Sequence, residues 1–68
     1  MELKELFELI EARRLLLGYS KRELASKAEI TDKYYWQIVT GQATGAAYNV
    51  VLRLSEAVGL SFLVYIKP

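Results

Sequence analysis

The chain is 68 residues long, carries nine Lys and Arg against eight Asp and Glu for a net charge of +1, and contains neither Cys nor His. That length makes one small domain with a modest buried fraction, and the missing residue types exclude disulfides and the usual zinc sites. One Asp and no paired acidic constellation speak against an enzyme, so no catalytic residue, cofactor or metal is expected.

No apolar run approaches the roughly 18 residues of a membrane span, and no signal-peptide layout opens the chain. The expected compartment is therefore the cytoplasm. Net charge alone points to no nucleic acid, but its distribution does. Residues 1–12 set Lys4 against Glu2, Glu5, Glu8 and Glu11, a sum of −3. Residues 13–33 set Arg13, Arg14, Lys21, Arg22, Lys27 and Lys33 against Glu23, Glu29 and Asp32, a sum of +3. Residues 34–68 add Arg53 and Lys67 against Glu56, a sum of +1. A phosphate-facing surface belongs where the positive charge gathers.

In chain order, the first helix is expected from about Glu2 to Leu17. Leu3, Leu6, Phe7, Ile10, Arg14 and Leu17 follow steps of three and four and form one core-facing stripe. Gly18 stops the helix as a left-handed cap. Leu9, Leu15 and Leu16 fall at or off the edge of the stripe, an apolar excess that suits contact with a second subunit. A second helix spans about Lys21 to Ala28. Ser20, with Glu23 three residues on, reads as a capping box at its start. A third helix spans about Asp32 to Thr40, capped by Thr31 and favoured by Asp32 in its first turn. Only a short turn fits between the two. Leu24, Ala25, Ile30, Tyr35 and Ile38 supply the apolar contacts where they cross, and small Ala25 permits close approach. Tyr35 and Ile38 point inward, while Asp32, Lys33, Trp36, Gln37 and Thr40 lie on the other side. Gly41 ends this helix, and a fourth spans about Ala46 to Val58, closing the core with Ala47, Val51, Leu54 and Val58 before Gly59.

The tail is the second informative stretch. Phe62, Leu63, Val64, Tyr65 and Ile66 have strong strand preference and are too few for another helix of normal length. Nothing else in the chain reads as a strand. Residues 61–67 therefore have their simplest partner in the same strand of a second chain across a twofold axis, which also covers a costly edge. A short terminal helix with the same dimer role is the alternative.

Leu24-Ala25, Ile30, Ile38 and Gly41, preceded by Arg14 and by Gly18-Tyr19-Ser20, resemble the Cro/repressor-type (XRE) helix-turn-helix family from about Ile10 to Leu60. The tail is similar to that of short antitoxin-like members with a two-stranded ribbon. The implied fold is mostly α, a single domain over residues 1–68. In it a four-helix repressor-like unit has its helix-turn-helix at about 20–41, and a short C-terminal β-strand pairs across a dimer. Such units place the second helix of the motif in the DNA major groove.

Base-contacting positions of the family match Asp32, Lys33, Trp36 and Gln37. Gln37 can pair bidentately with adenine and Lys33 can donate to guanine. Asp32 either accepts from cytosine or serves the helix dipole, and the Trp36 ring can cover a thymine methyl or pack on sugars. Phosphate contacts are expected from Lys21, Arg22, Thr31, Gln42, Thr44 and Arg14. The dimer interface is expected at Phe62, Leu63, Val64, Tyr65 and Ile66.

Three departures from the family stand out. Glu29 occupies the turn position that usually takes Gly with positive φ, at a cost of roughly 1 kcal/mol. The usual Glu partner of Arg14 is replaced by Val39, so Arg14 must find Glu11, a terminal carbonyl or a phosphate. The loop Gln42-Ala43-Thr44-Gly45 lacks the usual basic residues. The resemblance implies a homodimeric, sequence-specific regulator of transcription, a repressor or autorepressor on an inverted-repeat operator, nucleoid-associated and of phage or mobile-element type. The alternative is an antitoxin or other module whose main partner is a second protein.

Overall fold

The computed structural model describes residues 3–42 and 48–60. Among them are four α-helices: α1 (Leu3–Leu17), α2 (Lys21–Lys27), α3 (Asp32–Val39) and α4 (Tyr48–Ala57). Their starts follow the capping signals. The Glu23 amide donates to Ser20 Oγ at 3.0 Å while the Ser20 amide donates to Glu23 Oε1 at 2.8 Å, so both arms of the box form. At α3 the Tyr34 amide donates to Thr31 Oγ1 at 3.0 Å.

All four helices end in one way. Beyond each, a residue with φ between 62° and 80° turns the chain: Gly18, Glu29, Gly41 and Gly59. Its amide reaches back to the carbonyl three residues earlier, and the next amide reaches the carbonyl five residues earlier. At α2 these bonds are Glu29 N to Ser26 O at 3.1 Å and Ile30 N to Ala25 O at 3.0 Å. This is the Schellman closure, which normally uses Gly because a side chain crowds the left-handed backbone. Among the described residues, Glu29 is the one place where the chain makes it without Gly. The turn between α2 and α3 is four residues, Ala28 to Thr31.

The core forms where the helix stripes meet. Leu6, Phe7 and Ile10 of α1, Leu24 and Ala25 of α2, Tyr35 and Ile38 of α3, and Val50, Val51 and Leu54 of α4 are buried, with Ala28 and Val58 beside them. Helix α3 packs on α1 and α2, and α2 on α4. Ile30 is partly buried against this cluster, at the crossing where the apolar spacing placed it. The described residues form a small compact all-helical domain.

Two expected core residues, Leu3 and Leu17, are exposed instead. The eight residues of α3 cover about 12 Å, whereas the fifteen of α1 run about 22 Å, so both ends of the α1 stripe overhang their cover. Ala46 and Ala47, expected at the start of α4, and the expected strand at 61–67 lie outside the described residues. Val50 and Ser55 join the core unannounced, and Ser55 Oγ has no hydrogen-bond partner among the described residues.

Arginines hold the helix ends. Arg14 Nη1 donates to Tyr19 O just after α1 at 2.8 Å. Arg53 Nε donates to Ala28 O at the end of α2 at 2.9 Å, and Arg13 Nε donates to Val58 O at the end of α4 at 3.1 Å. Arg53 and Arg13 each supply a donor and a positive charge to a carbonyl that the helix cannot satisfy itself. The Tyr19 carbonyl that Arg14 meets lies in the link between α1 and α2. No helix among the described residues is long and apolar enough to cross a membrane.

Candidate nucleic-acid interface

A polar cluster fixes α3 against α1. Glu11, one turn before Arg14, accepts from Arg14 Nε at 2.7 Å and from Nη2 at 2.6 Å. Tyr35 of α3 donates its hydroxyl to the same Glu11 Oε1 at 2.7 Å. The Arg14 hydrogen bonds are the largest influence on the Glu11 carboxyl and hold it below the usual carboxylate range, against the opposing effect of burial. Glu11 in turn raises Arg14 further, and burial pushes the Tyr35 phenol up with help from Glu11. Thus Tyr35 is core, as its spacing implied, and its one polar atom is satisfied.

This cluster bears on one expected contact. Arg14, expected at a phosphate, is buried, with all three guanidinium nitrogens bonded inside the fold. Two of the three partners open to it from the sequence, Glu11 and a terminal carbonyl, are both used. With Arg13 engaged at Val58, the cations of residues 13–33 that remain on the surface are Lys21, Arg22, Lys27 and Lys33.

With Tyr35 and Ile38 buried, α3 turns Asp32, Lys33, Trp36 and Thr40 outward, and Gln37 is half-buried at the edge of that face. These positions are three and four residues apart, so they form one continuous strip. Asp32 Oδ1 accepts from the Lys33 amide at 3.0 Å, a first-turn role for the carboxylate. Thr40 Oγ1 donates to Trp36 O at 2.7 Å and seals the far end.

The neighbouring helix completes the surface. Lys21 Nζ of α2 stands 3.6 Å from the centroid of the Trp36 ring, well inside cation–π range. The start of α2 and the middle of α3 are thereby joined into one face bearing an ammonium, an indole and an amide. Thr31 and Arg22 are exposed beside it, and Thr31 Oγ1 accepts from Tyr34 while keeping its own hydrogen to donate. Gln42 is exposed after α3, its amide donating to Gln37 O at 2.8 Å. Thr44, Phe62, Leu63, Val64, Tyr65 and Ile66 lie outside the described residues.

The Lys21–Trp36 stack and the Glu11–Tyr35 bond were not foreseen from the sequence. Each joins residues far apart in the chain, and no spacing rule reaches across a helix crossing. Comparison with family models, with curated proteins and with solved structures gave no match.

Proposed function

We propose that this chain is a dimeric, sequence-specific double-stranded DNA-binding regulator of the Cro/repressor type, with α2 and α3 as its helix-turn-helix. The observation that carries this reading is the outward strip of α3, Asp32, Lys33, Trp36 and Gln37, extended by Lys21 stacked on Trp36. An α-helix with such a strip fits the major groove, where Gln37 pairs with adenine, Lys33 donates to guanine, and Trp36 covers a thymine methyl. Lys21, Arg22, Thr31 and Gln42, with Thr44, hold the flanking phosphates. Asp32 serves the start of α3. The tail residues Phe62 to Ile66 pair across a twofold axis and set the separation of two half-sites. Repression follows from occupancy of the operator by such a dimer.

Selection of bound duplexes from a random pool tests the reading. Enrichment of an inverted repeat is the expected result, and no enrichment over input refutes it. A second reading, a protein-binding module such as an antitoxin, is favoured by one observation. Leu15 and Leu16 of α1 are 64% and 74% exposed, and DNA recognition makes no use of them. Co-purification of a stoichiometric protein partner, with no duplex enriched, would select it.

A further inference from the structure

The exposed leucines of α1 are the largest feature that DNA binding leaves unused. Leu9 and Leu16 are 38% and 74% exposed, and Leu17 is exposed as well. They stand four before, three after and four after Arg13, so they surround it on the helix surface. Arg13 is also where the described chain ends. Its Nε bonds Val58 O at 3.1 Å, and Gly59 lies against its Nη2. The chain therefore leaves α4 in the middle of the leucine face. Three residues after Gly59 comes the most apolar run of the sequence, Phe62 to Ile66.

We propose that the segment Phe62–Ile66 seats on the α1 face formed by Leu9, Leu16 and Leu17 of its own chain. Reach permits it: three residues from Gly59 to Phe62 span at most about 10 Å, and Leu9 and Leu16 are about 10 Å apart along α1. Tethering selects it. A segment held this close is present at an effective concentration in the millimolar range, above that of any free partner in dilute solution. One side of an extended segment lies on the leucines, and its backbone edge stays open to a second chain. The seat does not depend on DNA binding. It takes up Leu16, which otherwise favours a protein partner, and leaves Leu15 as a single exposed apolar residue of the ordinary kind.

The absence of Cys makes the test direct. In the full-length protein, Leu16→Cys is combined in turn with Leu63→Cys and Val64→Cys, and Lys33→Cys replaces Leu16→Cys in the controls. Under mild oxidation, at least one Leu16→Cys pair should close within the monomer roughly ten-fold faster than its control. Non-reducing electrophoresis reads this as a faster-migrating single chain. Equal rates for test and control would overturn the proposal, and so would a covalent dimer through the same pair, which would assign the face to a second copy. Limited chymotrypsin digestion adds an arm without cysteines. Leu9→Glu with Leu16→Glu should speed cleavage after Phe62 and Tyr65 by roughly ten-fold while the helical circular dichroism is kept. Unchanged cleavage would overturn it.

Discussion

The cluster of Glu11, Arg14 and Tyr35 makes the sharpest demand on experiment, because one carboxylate serves two helices. Removing its charge with Glu11→Gln leaves Arg14 inside the fold without a counter-ion. Breaking a buried pair in this way costs about 3–5 kcal/mol. The side chains of Arg14 and Glu11 are 9% and 19% exposed, so some water reaches the pair. That access, and the amide oxygen left to accept one bond, bring the expected loss to about 2–3 kcal/mol. Tyr35→Phe removes only the hydroxyl bond and should cost about 1–2 kcal/mol, since Arg14 still holds the carboxylate. A domain of this size has about 3–10 kcal/mol in total. Urea unfolding followed by circular dichroism should show both losses, with midpoints lower by about 2–3 M and 1–2 M at a slope near 1 kcal/mol/M. In the double variant the second substitution should add less than it does alone, because its acceptor has already changed. Strict additivity would refute the shared-acceptor geometry.

The same cluster sets two pH limits. The Glu11 carboxyl lies below its ordinary value of 4.5 in the folded chain. Between the folded and unfolded values the unfolded state binds more protons, so stability rises with pH. This contribution is complete above pH 4.5 and is lost as the pH falls through the depressed folded value. The difference between wild type and Glu11→Gln should therefore shrink in acid, starting below pH 4.5. Tyr35 is raised above its ordinary value of 10.0, so its contribution is complete below pH 10 and lost as the pH climbs beyond it. Tyr35→Phe should lack that alkaline loss. A difference curve that stays flat from neutral pH down to the acid transition would contradict the assigned role of Glu11.

Glu29→Gly should relieve the left-handed backbone at the end of α2. Relief of about 1–2 kcal/mol, less about 0.4–1 for the looser unfolded chain, should raise the melting temperature by about 2–8 °C. Arg53→Leu should leave Ala28 O without its donor and lower stability by about 1–2 kcal/mol, read by the same melt. On DNA, Gln37→Ala should cost roughly 1–3 kcal/mol on the selected site and relax one base pair per half-site. Lys21→Ala should weaken all duplexes alike and reduce the salt slope by about one; an unchanged sequence logo for Gln37→Ala would remove α3 from the groove. Val64→Pro should sediment as a monomer with its helical circular dichroism intact, and a stable dimer would remove the tail ribbon.

Much of the fold was legible because its signals are local. Ser20 with Glu23, Thr31, and the three glycines at 18, 41 and 59 mark helix ends by chemistry that acts within five residues. The positive φ at Glu29 was expected only through the resemblance, which puts Gly at that position, since nothing in the residue itself signals it. The half-buried face of α3 followed from period alone. What stayed hidden were bonds between distant segments: Tyr35 to Glu11 across 24 positions, Arg53 to Ala28 across 25, and Arg13 to Val58 across 45. Such contacts depend on how helices cross, and an arginine that caps a neighbour's carbonyl looks in sequence like one that meets a phosphate. Arg14 was assigned both roles, and only the packing of α3 separates them.

That separation bears on the proposed binding of DNA. Arg13 and Arg53 donate to carbonyls at helix ends and Arg14 is bonded within the fold. This leaves Lys21, Arg22, Lys27 and Lys33 as the surface cations of residues 13–33, with Lys21 stacked on Trp36 of the α3 strip. In the proposed complex two cationic phosphate contacts per domain, Lys21 and Arg22, correspond to a salt slope of about −2, and two domains together to about −4. A single domain with so little electrostatic attraction holds its half-site weakly. Coupling two of them makes the second contact intramolecular and raises affinity by a factor on the order of 100 to 10,000. The gain exists only when the α3 helices are held about one DNA turn apart, roughly 34–36 Å, or a multiple of it. On this reading the arginines that secure the helix ends and the apolar tail are two sides of one design. In the proposed complex, charge is withdrawn from the α3 strip to hold a small domain together, and pairing of the tails restores affinity through geometry. A monomeric Val64→Pro variant that bound a full palindrome as tightly as the wild type would break that link.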